Sequence, residues 1–272
     1  MTDVLQVGGF VPFTTIDFPG RNAAVVFCQG CMWRCSYCQN KELQSFVDAG
    51  SNDERGGQND ERGGQNGEHK EMRPFVNAAS NGEHNDVTLN VLKRPTWEYV
   101  LEKIYVRRNF LDGVVFSGGE PLAQNAIINA VQDVRNFGLQ VGIHTSGAYP
   151  ELLDDLVTCT NGKPLLDWVG LDIKTCFDEY DALTGAPGSE YLVTRSLDIL
   201  LGSSVCFDCR TTVDPKYVSP EHVIKIAREL RNKGVLVYKL QQCYDRERNP
   251  VYSPCFENEF AKQLQSLSAR KF

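Results

Sequence analysis

The chain has 272 residues, 42% of them hydrophobic, enough to bury the core of one α/β domain. A formal charge of −7 argues against a broad phosphate-binding face, which needs clustered Lys and Arg, and points to a small-molecule or protein partner rather than nucleic acid. No apolar run reaches the roughly eighteen residues of a membrane span, and "MTDVLQVGGF" lacks the basic-then-apolar pattern of a signal peptide, so a cytosolic protein without membrane contact is expected.

Short apolar runs alternate with helical patterns along most of the chain. Residues 23–28 (AAVVFC) read as the first strand, and residues 28–40 (CQGCMWRCSYCQN) follow it directly. Residues 52–65 (NDERGGQNDERGGQ) are a tandem heptad without an apolar seam, which excludes a coiled coil. From 46 to 90 there is almost no apolar periodicity, so this low-complexity insert cannot repay the entropy of ordering and is expected to be a flexible loop. Helix-type spacing then covers 96–109, 122–137, 149–159, 189–201 and 219–233, and strands fall at 113–118, 139–145, 168–174, 205–213 and 235–242. The last helix has the plainest ends, with Ser219 as N-cap, Pro220 at its first position and Gly234 after its end. Residues 256–272 read as a C-terminal tail. Six nearly all-apolar strands alternating with helices predict an α/β fold around a parallel six-stranded sheet, open or curled into a partial barrel, in a single domain.

In parallel sheets the working residues sit at the carboxyl ends of strands. Those ends carry the cysteine loop, SGGEP (117–121), HTSG (144–147), DIK (172–174) and RTTV (210–213), all on one rim. Polar and glycine residues from five segments gathered on one rim suit a cleft better than a core. Ten cysteines in a reducing compartment disfavour disulfides and leave zinc or iron–sulfur chemistry for Cys31, Cys35 and Cys38. Structural zinc wants a fourth ligand at matched spacing. Cys28, at a strand end, reads as a small buried hydrophobe; Cys206 and Cys209 fall on opposite faces of an extended strand and cannot jointly chelate without a bend. Three thiolates on a cubane cluster would leave one iron open for a ligand.

The CxxxCxxC motif with Tyr37 before its last cysteine, followed in order by SGGEP and DIK, resembles the radical S-adenosylmethionine superfamily. More closely, IDFPG, FCQGCMWRCSYCQNKEL, FLDGVVFSGGEPLAQ, VGLDIKT and RTTV are similar to activating proteins of anaerobic ribonucleoside-triphosphate reductases, a branch of the glycyl-radical-enzyme activases. The resemblance covers residues 4–43 and 94–243; the insert departs from it.

The resemblance implies a radical SAM-type (βα)6 partial barrel and an oxidoreductase. Cys31, Cys35 and Cys38 would hold a 4Fe-4S cluster whose fourth iron chelates the amino and carboxylate groups of S-adenosylmethionine. Ser117, Gly118, Gly119 and Glu120 would meet the methionine amino group, the glycines allowing an approach that a Cβ would block. Tyr37 would face adenine, Lys174 would pair with the carboxylate, and Asp172, His144, Thr145 and Arg210 would line the same ligand. Trp33 could cover the cluster or dock a partner. The implied partners are a glycyl-radical protein, anaerobic ribonucleoside-triphosphate reductase, and an electron donor such as flavodoxin or ferredoxin. Two alternatives stand beside this reading. One is radical chemistry on another target, whether a different glycyl-radical enzyme or a small molecule as in a 7-carboxy-7-deazaguanine synthase; the other is a zinc-binding or electron-transfer module.

Overall fold

In the computed structural model, residues 4–46, 94–158, 163–244, 249–251 and 261–262 are described. Nearly all of the predicted insert and most of the predicted tail therefore lie outside the described residues.

Seven strands form one sheet in strictly sequential order: β1 (Val7–Thr14), β2 (Ala23–Cys28), β3 (Gly113–Gly118), β4 (Gln140–Thr145), β5 (Trp168–Asp172), β6 (Cys206–Val213) and β7 (Tyr238–Gln242). From β2 to β7 every pairing is parallel; β1 pairs with β2 antiparallel. The six expected strands are present and β1 is the addition. Its VGGFVPFT has two glycines and a proline, which hide it from a propensity reading but are tolerated on an edge strand.

Helices cover one face of the sheet. They are α1 (Trp97–Arg107), α2 (Ile127–Asn136), α3 (Pro150–Val157), α4 (Tyr180–Thr184), α5 (Ser189–Gly202) and α6 (Pro220–Lys233). The α6 N-terminus is a capping box: the Ser219 hydroxyl accepts from the His222 backbone N–H, and the His222 ring accepts from the Ser219 backbone N–H. The predicted helix from 122 starts late. Gln124 is extended there (φ −124°, ψ 119°), and its side-chain amide is bonded to the backbone of Gln6 and Gln29 instead, so α2 begins only at Ile127.

Alternation along the strands gives the sheet two buried faces. Ala24, Val26, Val114, Phe116, Val141, Ile143, Val169 and Leu171 pack against the helices. On the other face, Val11, Ala23, Val25, Val115 and Trp168 close over Phe18 from the β1–β2 turn. Phe18 stacks on Trp168 of β5 at 5.7 Å, and His144 Nε2 lies 2.9 Å from the Asp17 carbonyl, so one turn reaches across the concave face to β4 and β5. This turn floors the inner side and leaves the strands' carboxyl ends as the open rim.

Phe18→Ala should therefore lower stability by about 3–5 kcal/mol, whereas Phe110→Ala, at a 76% exposed position, should change it by less than about 0.5 kcal/mol. Denaturant unfolding of both variants checks this; equal small losses would mean that the floor is not packed.

Candidate active site

The loop after β2 is held by its backbone before any ligand is considered. Gly30 takes φ +92° and its N–H donates to the Leu43 carbonyl, while the Cys31 N–H donates to Gln44. The Gln29 amide donates to the carbonyls of Glu42 and Ser45, fixing the returning strand of the loop. Farther along, the Arg34 N–H reaches Thr184 of α4, Tyr37 Oη donates to the Lys174 carbonyl at 3.0 Å, and Asn40 Nδ2 to the Gly118 carbonyl at 3.2 Å. The loop is thereby stitched to the ends of β3 and β5.

Cys35 is buried, and Cys31 and Cys38 are half-buried. Burial, with the nearby Glu120 charge, pushes the Cys31 thiol up to about 12; burial also raises Cys35, with Lys174 opposing it. Thiols this reluctant to ionise become ligands only when a cation supplies the missing charge. Among the described residues no three His, Cys, Asp or Glu side chains converge on one point as a single-ion site requires. A cubane asks for something else, since each thiolate meets its own iron. The all-sulfur donor set and an indole N–H of Trp33 that is fully buried without a partner both fit such a group. Trp33 packs edge-on against Tyr180 with no exposed surface, which removes the docking alternative.

The glycines of SGGEP are required by the protein's own packing. A Cβ on Gly118, at φ +115°, would lie 2.4 Å from the Cys28 nitrogen, and one on Gly119 would lie 2.4 Å from the Gly30 carbonyl oxygen. They let β3 close on the cysteine loop. Glu120 has no exposed surface. Its Oε1 accepts from Thr145 Oγ1 (2.7 Å) and the Leu122 N–H (3.2 Å), and its Oε2 from the Ser146 N–H (2.8 Å) and hydroxyl (2.5 Å). Four donors saturate a carboxylate. Burial pushes its pKa up even against these bonds. Thr145, expected to face a ligand, is engaged in this same tie.

Charge on the concave face centres on Asp172. Arg210 donates to its Oδ1 at 2.7 and 3.2 Å, and Lys174 Nζ lies 3.6 Å from Oδ2. Burial would raise Asp172, but Arg210 and then Lys174 outweigh it and hold the carboxyl low; burial would lower Lys174, but Asp172 keeps it well above the usual lysine range. Gly170 leaves room for this arrangement, because a Cβ there would meet the Arg210 guanidinium carbon at 2.9 Å. The Tyr180 hydroxyl accepts from the Lys174 N–H and donates to the Asp172 carbonyl, a support with no signal in the sequence. Ser117, next to last in β3, is half-buried on the rim.

His144 lies lower. It pairs across β4–β5 with Gly170, beneath the Asp172 layer, edge-on to Trp168, and burial with the Arg210 charge drops its pKa to about 3. Cys206 is exposed and Cys209 buried, so this pair does not converge; Cys28 is fully buried in the helix-side core.

The sheet brings three cysteines on the loop after β2, the glycine-rich end of β3 and a cation–carboxylate cluster at the ends of β5 and β6 to one rim. The family model of the Radical SAM superfamily matches residues 25–205, and the chain belongs to that superfamily. The family uses a 4Fe-4S cluster and S-adenosylmethionine. A protein of Methanocaldococcus jannaschii named "Putative glycyl-radical enzyme activating enzyme MJ1227" is 27% identical over 265 residues, 93% of this chain and 88% of its own. Among solved structures, QueE from Escherichia coli superposes with a TM-score of 0.54 at 14% identity, covering 97% of this chain and 91% of QueE. Native anSMEcpe with bound AdoMet gives 0.53 at 15%, covering 88% and 58%. These likenesses carry the fold. No helix among the described residues is long and apolar enough to cross a membrane.

His144 sets a pH test. Its folded pKa lies below the ordinary value, so between pH 6.5 and about 3 the unfolded chain binds the extra proton and stability falls as pH falls, by at most about 1.4 kcal/mol per unit from this group. The His144→Gln protein should lose less stability between pH 7 and pH 5 than the parent in urea titrations; equal losses would mean His144 titrates normally.

Proposed function

We propose that this chain is a glycyl-radical-enzyme activase: it reductively cleaves S-adenosylmethionine and generates a glycyl radical on an anaerobic ribonucleoside-triphosphate reductase in the cytosol. The observation that carries this reading is the ordered set of cysteine loop, SGGEP, DIK and RTTV brought to one rim by a sequential parallel sheet. The name of the Methanocaldococcus jannaschii relative supports the same branch. Bound at this rim, cluster and S-adenosylmethionine supply a 5′-deoxyadenosyl radical by one-electron reduction and C–S cleavage.

In this reading Cys31, Cys35 and Cys38 would hold the cluster, and S-adenosylmethionine would bind beside it. Lys174 pairs with the carboxylate, and Asp172 and Arg210 together hold the remaining polar edge of the ligand. The backbone from Ser117 to Gly119 meets the amino group, and Glu120 with Thr145 positions that backbone from behind. Tyr37 turns its backbone toward adenine, since its hydroxyl is already spent on Lys174. His144 supports the floor. A flavodoxin or ferredoxin supplies the electron. The hydrogen removed is on a glycine Cα, a bond weakened by the amide groups on both sides.

The test is anaerobic reconstitution with about four irons per chain, then formation of 5′-deoxyadenosine and of a glycyl-radical EPR signal on the reductase. Turnover of a small molecule to a new product, with no signal on any glycyl-radical protein, would favour the small-molecule alternative. Ala at 31, 35 or 38 should abolish iron binding while Cys206→Ala keeps it; loss of half the iron in the Cys206 variant would instead reveal a second cluster. Lys174→Ala should keep the cluster but weaken S-adenosylmethionine binding by about 1.5 to 3 kcal/mol, roughly ten- to a hundredfold. An unchanged Kd would take Lys174 out of the site.

A further inference from the structure

Four buried side-chain polar atoms among the described residues have no hydrogen-bond partner: Gln29 Oε1, Trp33 Nε1, Asp208 Oδ1 and Glu229 Oε2. Three are acceptors on groups with a second polar atom. Trp33 is the one donor, and an indole N–H has a single bond to give. Left unmade in a fully buried place, it has given up its bond to water with nothing in return. Trp97 shows the ordinary solution, donating from Nε1 to Asp133 at 2.9 Å. No oxygen or sulfur of the described residues takes the corresponding proton of Trp33.

Its position narrows the choice of acceptor. Trp33 stands two residues from both Cys31 and Cys35 and packs in one buried cluster with Cys35, against which Cys31 and Cys38 also lie. The ring is held by Tyr180, whose hydroxyl is fixed between Asp172 and Lys174, and the next residue is held by the Arg34 N–H on Thr184. An unpaired donor clamped in this place lacks only an electron-rich acceptor.

We infer that the Trp33 indole N–H donates a hydrogen bond to the iron–sulfur cluster, to an inorganic sulfide or a ligating thiolate, and thereby raises the cluster's reduction potential. This rests on the reading that Cys31, Cys35 and Cys38 hold the cluster. Reduction adds negative charge to the cluster, and a donor aimed at its sulfur stabilises the more negative state. Trp33 is then a positioning residue that makes the electron easier to load.

The test uses the reconstituted holoprotein. Trp33→Phe keeps an aromatic ring and removes the N–H. EPR-monitored titration should show its reduced-to-oxidised ratio about tenfold lower at the same applied potential, equivalent to a fall of about 59 mV for a one-electron couple. Independently of that variant's stability, the wild-type protein grown with indole-15N tryptophan should show a 15N hyperfine coupling to the reduced cluster by pulsed EPR. An unchanged midpoint, or no 15N coupling in the wild type, would overturn the inference and leave Trp33 as packing. A wild-type chain that assembles no cluster would fail at the iron count, and with it the cysteine assignment itself would fall.

Discussion

Glu120 carries a carboxylate to a point that water does not reach, and it remains there because Leu122, Thr145 and Ser146 supply four donors. The ends of β3 and β4 are fixed to each other through that one group, since Glu120 follows β3 and Thr145 closes β4. The Glu120 N–H in turn donates to the Gly30 carbonyl, and Gly118 and Gly119 bring β3 within a Cβ's width of the cysteine loop. A buried charge with any of these donors missing would be expensive. The rim is rigid because relaxing it would strand a carboxylate.

Asp172 meets the same physical problem and solves it by the other route. Glu120 is compensated by neutral donors, Asp172 by two cations. Two cations on one carboxylate leave a positive charge in excess at the rim, which suits an anionic group arriving there, whereas the saturated Glu120 tie has nothing further to offer. One carboxylate holds the scaffold and the other sets the charge that the site presents. His144, neutral below this layer, adds nothing to that charge.

Much of this was legible in the sequence where a pattern has one cause. Six apolar strands between helical stretches imply a parallel sheet, and a parallel sheet places its strand ends together, so the rim followed from the order of motifs alone. What escaped depends on side-chain direction. SGGEP and HTSG were read as facing a ligand, but Glu120 and Thr145 turn toward each other, and nothing in linear order says which way a rim residue points. The β1 strand was hidden because its glycines and proline speak against a strand unless its edge position is known. Tyr180 was invisible, since it lies in a five-residue helix and acts by holding the backbone of Asp172 and Lys174 and the ring of Trp33. Cys206 and Cys209 were separable from the start, because strand period alone sends residues three apart to opposite faces.

The cysteine loop combines two features that pull in different directions. Its backbone is fixed by Leu43, Gln44, Thr184, Lys174 and Gly118, none of which depends on the thiols. The Cys31 and Cys35 thiols are held where burial disfavours their charged form. The shape that presents the sulfurs is therefore built into the chain, while the charge that would make them ligands is not. A group that supplies positive charge would find the geometry waiting and would release protons as it bound, so that assembly would be governed by pH and by the cation rather than by folding of the loop. Lys174 links the two halves of this arrangement: it opposes the rise that burial gives the Cys35 thiol and joins Arg210 in holding the Asp172 carboxyl low, and its backbone is held by the same tyrosine pair, Tyr37 and Tyr180, that ties the loop to β5.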